Sequence, residues 1–274
     1  MGSKNKAYMN NVVANFNKLI LPFAQNYGLP PGKKRAILRE YLQVKILALI
    51  YQEKISKDLF FVGGTSLRLL HNLNRFSEDL DFDSLKLTVV EISRLIKTVV
   101  SKLASETINV DLYHNRTDRR DYFEFRFPKL LYDLNLSRNN DEKLVIKFDF
   151  EKWWQGQKRE SVFLNRYGFL ANIVTKTKDQ ILVEKLVAYL ERQETQPRDI
   201  YDIVWLIAGG SKPDLDFARK NKLSSNLVQL AQKKFTKEKN RLNTFKTKLS
   251  PFLLDEKDTH QLDFFGQILE GINK

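Results

Sequence analysis

The chain has 274 residues, of which 42% are hydrophobic and 12% aromatic, which is enough for a packed core and excludes a disordered protein. It has no cysteine, which excludes disulfides, thiolate metal ligands and cysteine nucleophiles. The formal net charge of +13 favours a polyanionic partner, nucleic acid before membrane, with a basic proteome as the alternative explanation. Without an apolar signal region or a membrane-length apolar run, we expect a cytoplasmic protein.

The N-terminal part of the chain predicts a helical arm followed by an α/β unit. Residues 33–55 place apolar side chains at helical spacing, which is typical of an amphipathic helix. Residues 58–64 predict a short strand that ends at two glycines, and residues 65–73 predict a helix capped by Thr65 or Ser66. Further along, the periodicity predicts a helix over 89–104 and four strands, over 79–83, 108–114, 121–127 and 143–150.

From about residue 178 the pattern is helical almost throughout. We therefore expect three parts, namely an N-terminal helical arm over residues 1–55, an α/β core over 56–175 and a C-terminal helical domain over 176–274. Two tryptophans, Trp153 and Trp154, follow the last predicted strand of the core. Packing is the ordinary explanation for such a pair, and base stacking is the alternative.

One segment of the C-terminal part is strongly basic. Residues 219–248 hold ten Lys or Arg and a single acidic residue, Glu238. A charge run is usually a solvated helix face, but a one-signed surface that carries Phe235 and Phe245 also suits a phosphate backbone. Both interpretations stay open. Under the second, the candidate RNA-binding residues are Lys233, Lys234, Lys237, Lys239 and Arg241.

A glycine pair and two aspartates carry the first chemical signal. Gly63 and Gly64 stand between a predicted strand and helix, where missing side chains let backbone N–H groups approach a phosphate, although many tight turns look the same. In the next strand, Asp79 and Asp81 project from one face while the alternate residues enter the core. Neighbouring carboxylates repel each other unless a divalent cation lies between them. Asp83 lies further along the same face and is taken as peripheral.

A third carboxylate, Asp149, lies between Phe148 and Phe150, so we expect its strand to be buried on one side and to present Asp149 on the other. Three strand carboxylates beside a Gly-Gly turn are the arrangement of two-metal phosphoryl or nucleotidyl transfer. The sequence therefore indicates a nucleotide-handling enzyme.

Two helices in the C-terminal part add charged residues to this picture. Lys185 lies on an otherwise apolar helix face, where its burial is costly unless it pairs with an aspartate or a nucleotide phosphate. Asp199 and Asp202 are three residues apart on the next helix, so they share a face and could hold Lys185 or read a base edge.

These motifs resemble the AbiEii/AbiGii-type (MenT-like) nucleotidyltransferase toxins of the polymerase-β-like nucleotidyltransferase superfamily. The Gly-Gly-Thr-Ser run at 63–66 is followed by the matching residues Arg75, Ser77, Asp79, Asp81 and Phe82. A later helix matches at Glu184, Lys185, Ala188 and Arg192, and the next helix at Arg198, Asp199, Tyr201 and Asp202. The resemblance implies an α+β fold, with a small mixed sheet flanked by helices and a C-terminal helical domain.

The resemblance also implies a function. Such an enzyme moves an NMP from an NTP onto an acceptor hydroxyl, with the 3′ end of tRNA expected first, and acts as a toxin with a cognate antitoxin. Asp79, Asp81 and Asp149 would bind Mg²⁺, or Mn²⁺ in its place, and Asp202 would join Lys185 among the catalytic residues. The implied nucleotide-binding residues are Gly63, Gly64, Thr65, Ser66, Arg75, Ser77, Lys185 and Asp199. Two alternatives remain, namely a small-molecule or protein acceptor, and an inactive RNA-binding protein.

Overall fold

A mixed sheet of five strands carries the carboxylates that the sequence singles out. The computed structural model describes residues 11–116 and 121–272. The strands are β1 (Phe60–Val62), β2 (Leu80–Asp83), β3 (Asp111–Arg116), β4 (Asp121–Phe127) and β5 (Leu144–Glu151). Their order in the sheet is β1-β2-β5-β4-β3, and β2 and β5 are parallel whereas the other pairs are antiparallel.

Helices surround this sheet and make up most of the C-terminal part. Those before or between the five strands are α1 (Asn11–Asn15), α2 (Leu21–Asn26), α3 (Lys34–Ile50), α4 (Gly63–His71), α5 (Val89–Ser105) and α6 (Leu130–Asp133). Those that follow are α7 (Lys178–Glu191), α8 (Pro197–Ala208), α9 (Leu215–Lys220), α10 (Leu227–Glu238), α11 (Leu242–Leu249) and α12 (Phe265–Ile272). In the described residues no helix has both the length and the apolar character needed to cross a membrane. The predicted α+β fold is confirmed.

Two hydrophobic clusters form the core of the described part of the chain. The first joins the N-terminal helices to the sheet, because Val12 and Phe16 are buried in the same cluster as Phe61, Phe82 and Phe148. The second is built by helices α7 to α12, and it also takes in Leu67 of α4 and Trp154. The glycine turn at the start of α4 therefore lies where the sheet meets the C-terminal helices.

A β-hairpin that the sequence did not predict connects the sheet to α7. Its strands are β6 (Arg159–Arg166) and β7 (Phe169–Lys176), joined by Tyr167 and Gly168, which both have positive φ angles of 53° and 79°. A two-residue loop with positive φ at both positions matches the right-handed twist of paired strands. The Thr175 hydroxyl donates to the Phe61 carbonyl oxygen at 2.7 Å, which fixes β7 beside β1.

The prediction that Thr65 or Ser66 caps α4 is wrong. The helix begins at Gly63 and its cap residue is Val62, so both hydroxyl residues already lie in the first turn. The Thr65 hydroxyl donates to the Asp79 carbonyl oxygen at 2.5 Å, and the Ser66 hydroxyl donates to the Gly63 carbonyl oxygen at 3.0 Å. The Thr65 bond ties the helix to the residue that precedes β2.

The aromatic residues of the basic segment are not on its surface. Phe235 of α10 is 6% exposed and Phe245 of α11 is fully buried, both in the second cluster. Helical periodicity explains this, because each ring lies on the apolar stripe that packs against α12 or neighbouring helices. The expectation that the basic surface carries Phe235 and Phe245 is therefore wrong, because both rings lie in the core.

Candidate active site

The glycine turn closes directly over one of the aspartates. Val62, the last residue of β1, is the register partner of Asp81 on β2, and Gly63 follows with a φ of +74°. A Cβ atom at Gly63 would overlap the Asp81 carboxylate, and one at Gly64 would overlap the Arg75 guanidinium. Both positions therefore need glycine, since a side chain would displace the Asp81 carboxylate at the first position and the Arg75 guanidinium at the second.

Asp81 and Asp149 are register partners on the parallel strands β2 and β5. Leu80 and Phe82 are buried, at 0% and 1% exposure, so the alternation predicted from the sequence is confirmed. Asp79 immediately precedes β2. Asp81 and Asp149 thus lie side by side on two adjacent strands, near the N-terminus of α4, and Asp79 lies just before the first of these strands.

The electrostatics of these carboxylates are unfavourable without a counter-charge. Burial, together with repulsion from Asp79 and Asp149, raises the pKa of Asp81 to about 7. Burial, with repulsion from Asp149 and Glu78, also raises the pKa of Asp79. Within residues 11–116 and 121–272, no cationic side chain forms an ion pair with Asp79 or Asp81, whereas Asp149 lies 3.0 Å from the Lys147 ammonium.

This donor set fits a divalent cation with oxygen ligands. Asp79 and Asp81, which form no ion pair within the described residues, have the hard oxygen donors that Mg²⁺ prefers, and burial and repulsion from neighbouring carboxylates raise the pKa of both. In the described residues, no three acidic or histidine side chains are already close enough to hold an ion together. Lys147 pairs with one oxygen of the third carboxylate, Asp149.

A cleft of about 460 Å³ opens between the carboxylates and α7. Its floor is formed by Gly63, Asp81 and Asp149, and the facing wall by residues of α7 that include Lys185 and Val187. Among the residues that the structure describes, seven acidic side chains and two basic ones line it. A triphosphate would meet strong repulsion in such a cleft unless a cation offset the negative charge.

Lys185 is presented to the cleft by a buried ion-pair network. Its ammonium lies 2.8 Å from Asp202 and 3.3 Å from Asp199, and its side chain is 13% exposed. Burial lowers the pKa of Lys185, but the two aspartates outweigh burial and raise it. Asp199 and Asp202 could hold Lys185 or read a base edge, and these ion pairs support the first role.

Arg75 lies beneath the glycine turn, outside the cleft. Its guanidinium donates two hydrogen bonds of 2.6 Å to the two carboxylate oxygens of Asp202, and a third to the Phe76 carbonyl oxygen at 2.9 Å. Only 2% of its side chain is exposed. Burial raises the pKa of Asp202, but Arg75 and Lys185 outweigh burial and lower it. Arg75 was expected to bind the nucleotide directly, but its buried side chain instead supports the glycine turn.

The hydroxyl residues of the turn also differ from expectation. Thr65 and Ser66 are fully buried and their hydroxyls donate to backbone carbonyls, so they fix the turn and do not face the cleft. Ser77 is half-buried, and its Oγ would lie 3.0 Å from a Cβ at Gly64. Gln43 donates to the carbonyl oxygens of Ser77 and Glu78, which holds the segment before β2 in place.

A second charged cluster was missed by sequence reasoning. Lys176, at the end of β7, forms ion pairs with Asp83 and Glu184 and is fully buried. Burial, with repulsion from Glu184, keeps the pKa of Asp83 raised to about 7 despite Lys176. Asp83 therefore belongs to a cluster that joins β2, β7 and α7. Its partner lies on the hairpin, which carried no recognisable sequence signal.

The chain is similar to a known family of nucleotidyl transferases. Residues 45–269 match the sequence profile of the family described as nucleotidyl transferase AbiEii toxin, type IV TA system. No curated protein matches the chain.

Solved structures resemble the chain over most of its length. A putative nucleotidyltransferase from H. pylori is 22% identical, with 87% of this chain and 96% of that chain covered and a TM-score of 0.54. MenT4, a nucleotidyltransferase toxin from Mycobacterium tuberculosis H37Rv, is 18% identical, with 91% and 88% covered and a TM-score of 0.54. JHP933 from Helicobacter pylori is 19% identical, with 87% and 93% covered and a TM-score of 0.52. At these identities the structures show a common fold.

Proposed function

Because the chain belongs to the AbiEii nucleotidyl transferase toxin family of type IV toxin–antitoxin systems, we propose that it transfers an NMP from an NTP onto an RNA hydroxyl. The 3′ end of tRNA is the first acceptor to test. The observation that carries this proposal is the register pair Asp81–Asp149 under the Gly63 turn, facing a cleft whose other wall holds Lys185. A nucleotidyltransferase of such a system also implies a cognate antitoxin.

In the proposed reaction the acceptor oxygen bonds to the α-phosphorus, the bond from that phosphorus to the bridging oxygen breaks, and pyrophosphate leaves. Asp149 is the proposed acceptor of the hydroxyl proton. The backbone N–H groups of Gly63 and Gly64 lie at the N-terminus of α4, which is favourable for phosphate oxygens. Lys185, which Asp199 and Asp202 keep charged, would face the negative phosphates from the opposite wall of the cleft.

Nucleotidyltransferases generally use a divalent cation with the NTP, and we propose Mg²⁺, or Mn²⁺ in its place, at Asp79 and Asp81 with Asp149 as the third ligand. When bound, the cation would neutralise triphosphate charge and lower the pKa of the acceptor hydroxyl. The cleft supplies carboxylate oxygens and is lined by few cationic side chains. A bound cation would lower the raised pKa of Asp81.

The basic surface supports RNA as the acceptor. We define it as Lys233, Lys237, Lys239 and Arg241, which are all exposed. Lys234 is excluded, because its ammonium donates to the Tyr189 and Arg192 carbonyl oxygens at the C-terminal end of α7. Those bonds fix α10 against α7, the helix that lines the cleft.

The acceptor can be tested with labelled NTPs, Mg²⁺ and tRNA. We expect label on tRNA with the wild type and with Asp111→Asn, whose aspartate is exposed and distant in the sheet order, and none with Asp81→Asn. NTP turnover without label on any RNA would move the proposal to a small-molecule or protein acceptor. RNA binding without turnover, unchanged in Asp81→Asn, would contradict the enzymatic proposal.

A further inference from the structure

Three aromatic rings form a stack that runs from the second hydrophobic cluster to the rim of the cleft. Phe217 of α9 is 1% exposed and stacks on Trp154, with ring centroids 5.2 Å apart and planes inclined by 17°. Trp154 is 5% exposed and stacks in turn on Trp153, at 3.9 Å and 26°. The Lys176 ammonium lies 5.1 Å from the Trp154 ring centre and helps to fix this middle ring.

The outer ring of the stack is half uncovered. Trp153 is 48% exposed although one of its faces lies on Trp154, so its other face is turned away from the protein. Its indole N–H donates to a Glu151 carboxylate oxygen at 3.0 Å, which fixes the orientation of the ring. An aromatic ring that is held in a fixed orientation with one face open offers a surface on which a second ring can stack.

The position of Trp153 favours a ligand of the catalytic cleft. Trp153 and Trp154 line the cleft together with Gly63, Asp81 and Asp149. Trp153 is four residues beyond Asp149, so the two Cα atoms are at most about 14 Å apart. A base stacked on this ring can therefore belong to the nucleotide whose phosphates lie at the glycine turn, or to the last nucleotide of the acceptor.

We propose that the open face of Trp153 is a stacking platform for a nucleobase in the transfer reaction, which rests on the function proposed above. Stacking on an aromatic ring needs only a π-face, so the platform accepts every base and sets affinity without setting base identity. The ring pair beneath Trp153 keeps the platform rigid, so little conformational entropy is lost when a base binds.

Binding measurements can separate the two sources of the base. The first arm measures the Kd of each of the four NTPs, as analogues that cannot release pyrophosphate, and the second measures the Kd of tRNA with and without its 3′-terminal nucleotide. We compare the wild type with Trp153→Leu, Trp153→Phe and Phe163→Leu. Phe163 is 61% exposed on β6 and lines no part of the cleft, so its variant is the matched control.

We expect Trp153→Leu to weaken one arm by about 5- to 100-fold, and Trp153→Phe to weaken it less because a smaller π-face remains. Loss in the NTP arm assigns the base to the NTP, and loss confined to tRNA with an intact 3′ nucleotide assigns it to the acceptor. Phe163→Leu should bind like the wild type. If both arms stay within twofold of the wild type in Trp153→Leu, the platform is overturned.

A second measurement avoids mutation of Trp153. In a Trp205→Phe protein, acrylamide quenching of tryptophan fluorescence reports mainly on exposed Trp153, since Trp154 is buried. A base stacked on Trp153 should shield the ring, so the fluorescence that remains with NTP or tRNA bound should be less sensitive to acrylamide. Unchanged sensitivity to acrylamide with both ligands bound would overturn the platform. A wild type that binds neither NTP nor RNA would instead contradict the proposed function, so the two failures are distinguishable.

Discussion

Asp81 on β2 and Asp149 on β5 face each other across two parallel strands. Neighbouring strands lie about 4.8 Å apart, so the distance between two adjacent strands determines how far apart the two backbones hold these carboxylates. Gly63 then closes over Asp81, which leaves the cleft as the open side. The protein therefore holds mutually repelling negative charges at the floor of the cleft, where they would attract a cation.

The first prediction concerns the pH dependence of stability. The pKa of Asp81 is about 7 in the folded protein and 3.8 in the unfolded chain. The folded state therefore holds the proton more tightly, and stability decreases as the pH rises from about 4 to about 7. Compared with the wild type, Asp81→Asn should gain up to about 4 kcal/mol in unfolding free energy at pH 8 and nothing at pH 3. Urea unfolding at both pH values measures this, and an equal gain at both would contradict it.

A second prediction tests the contact between Gly63 and Asp81. Gly63→Ala should lower nucleotidyl transfer by about 100-fold or more, because the new methyl group displaces the carboxylate. Gly168→Ala is the matched control, since Gly168 has a similar φ of +79° and a Cβ added there would meet no atom within 4 Å. The control should lose only about 1–2 kcal/mol of stability through its backbone conformation and keep its activity. Equal activity losses in the two variants would show that the Asp81 contact is unimportant.

A third prediction concerns the ion pair beneath the glycine turn. Arg75→Ala leaves Asp202 buried without its bidentate partner, so we expect a loss of about 3–5 kcal/mol in unfolding free energy. Arg198→Ala is the control, because Arg198 pairs with Glu78 at 3.1 Å while both side chains are partly exposed. That pair should contribute less than about 1 kcal/mol. Chemical denaturation compares the two variants, and similar losses would contradict the structural role of Arg75.

The fourth prediction concerns RNA. Replacing Lys233, Lys237, Lys239 and Arg241 together by glutamine should weaken RNA binding and make it less dependent on salt. If each residue contacts one phosphate, the slope of log K against log salt should become smaller by about 3 for single-stranded RNA. NTP affinity should stay unchanged, because these side chains do not line the cleft. An unchanged salt slope would exclude this surface as the RNA contact.

The strand pattern was sufficient to find the carboxylates, because a period of two residues determines which side chains share a face. Asp81, Asp149 and the buried neighbours Leu80 and Phe82 were identified in this way. The parallel pairing of β2 with β5 was beyond sequence reasoning, since it depends on contacts between residues far apart in the chain.

Other assignments failed because a motif gives the residue type without its burial. Arg75, Thr65 and Ser66 match a nucleotide-binding motif, yet all three are buried and support the turn from within. The hairpin was missed because its loop, Tyr167–Gly168, lacks the usual Asn-Gly or Asp-Gly signal. Lys176, at the end of this hairpin, therefore could not be recognised from the sequence as the partner of Asp83 and Glu184.

Asp202 binds two cationic side chains that come from opposite parts of the chain, Arg75 from below the glycine turn and Lys185 from the cleft wall. These three residues are therefore expected to be inherited as a set, since loss of any one leaves the others with unbalanced buried charge. A chimaera that exchanges the C-terminal helices between relatives would need to keep a carboxylate at this position. Sequence divergence in one half of the protein is thus constrained by the other half.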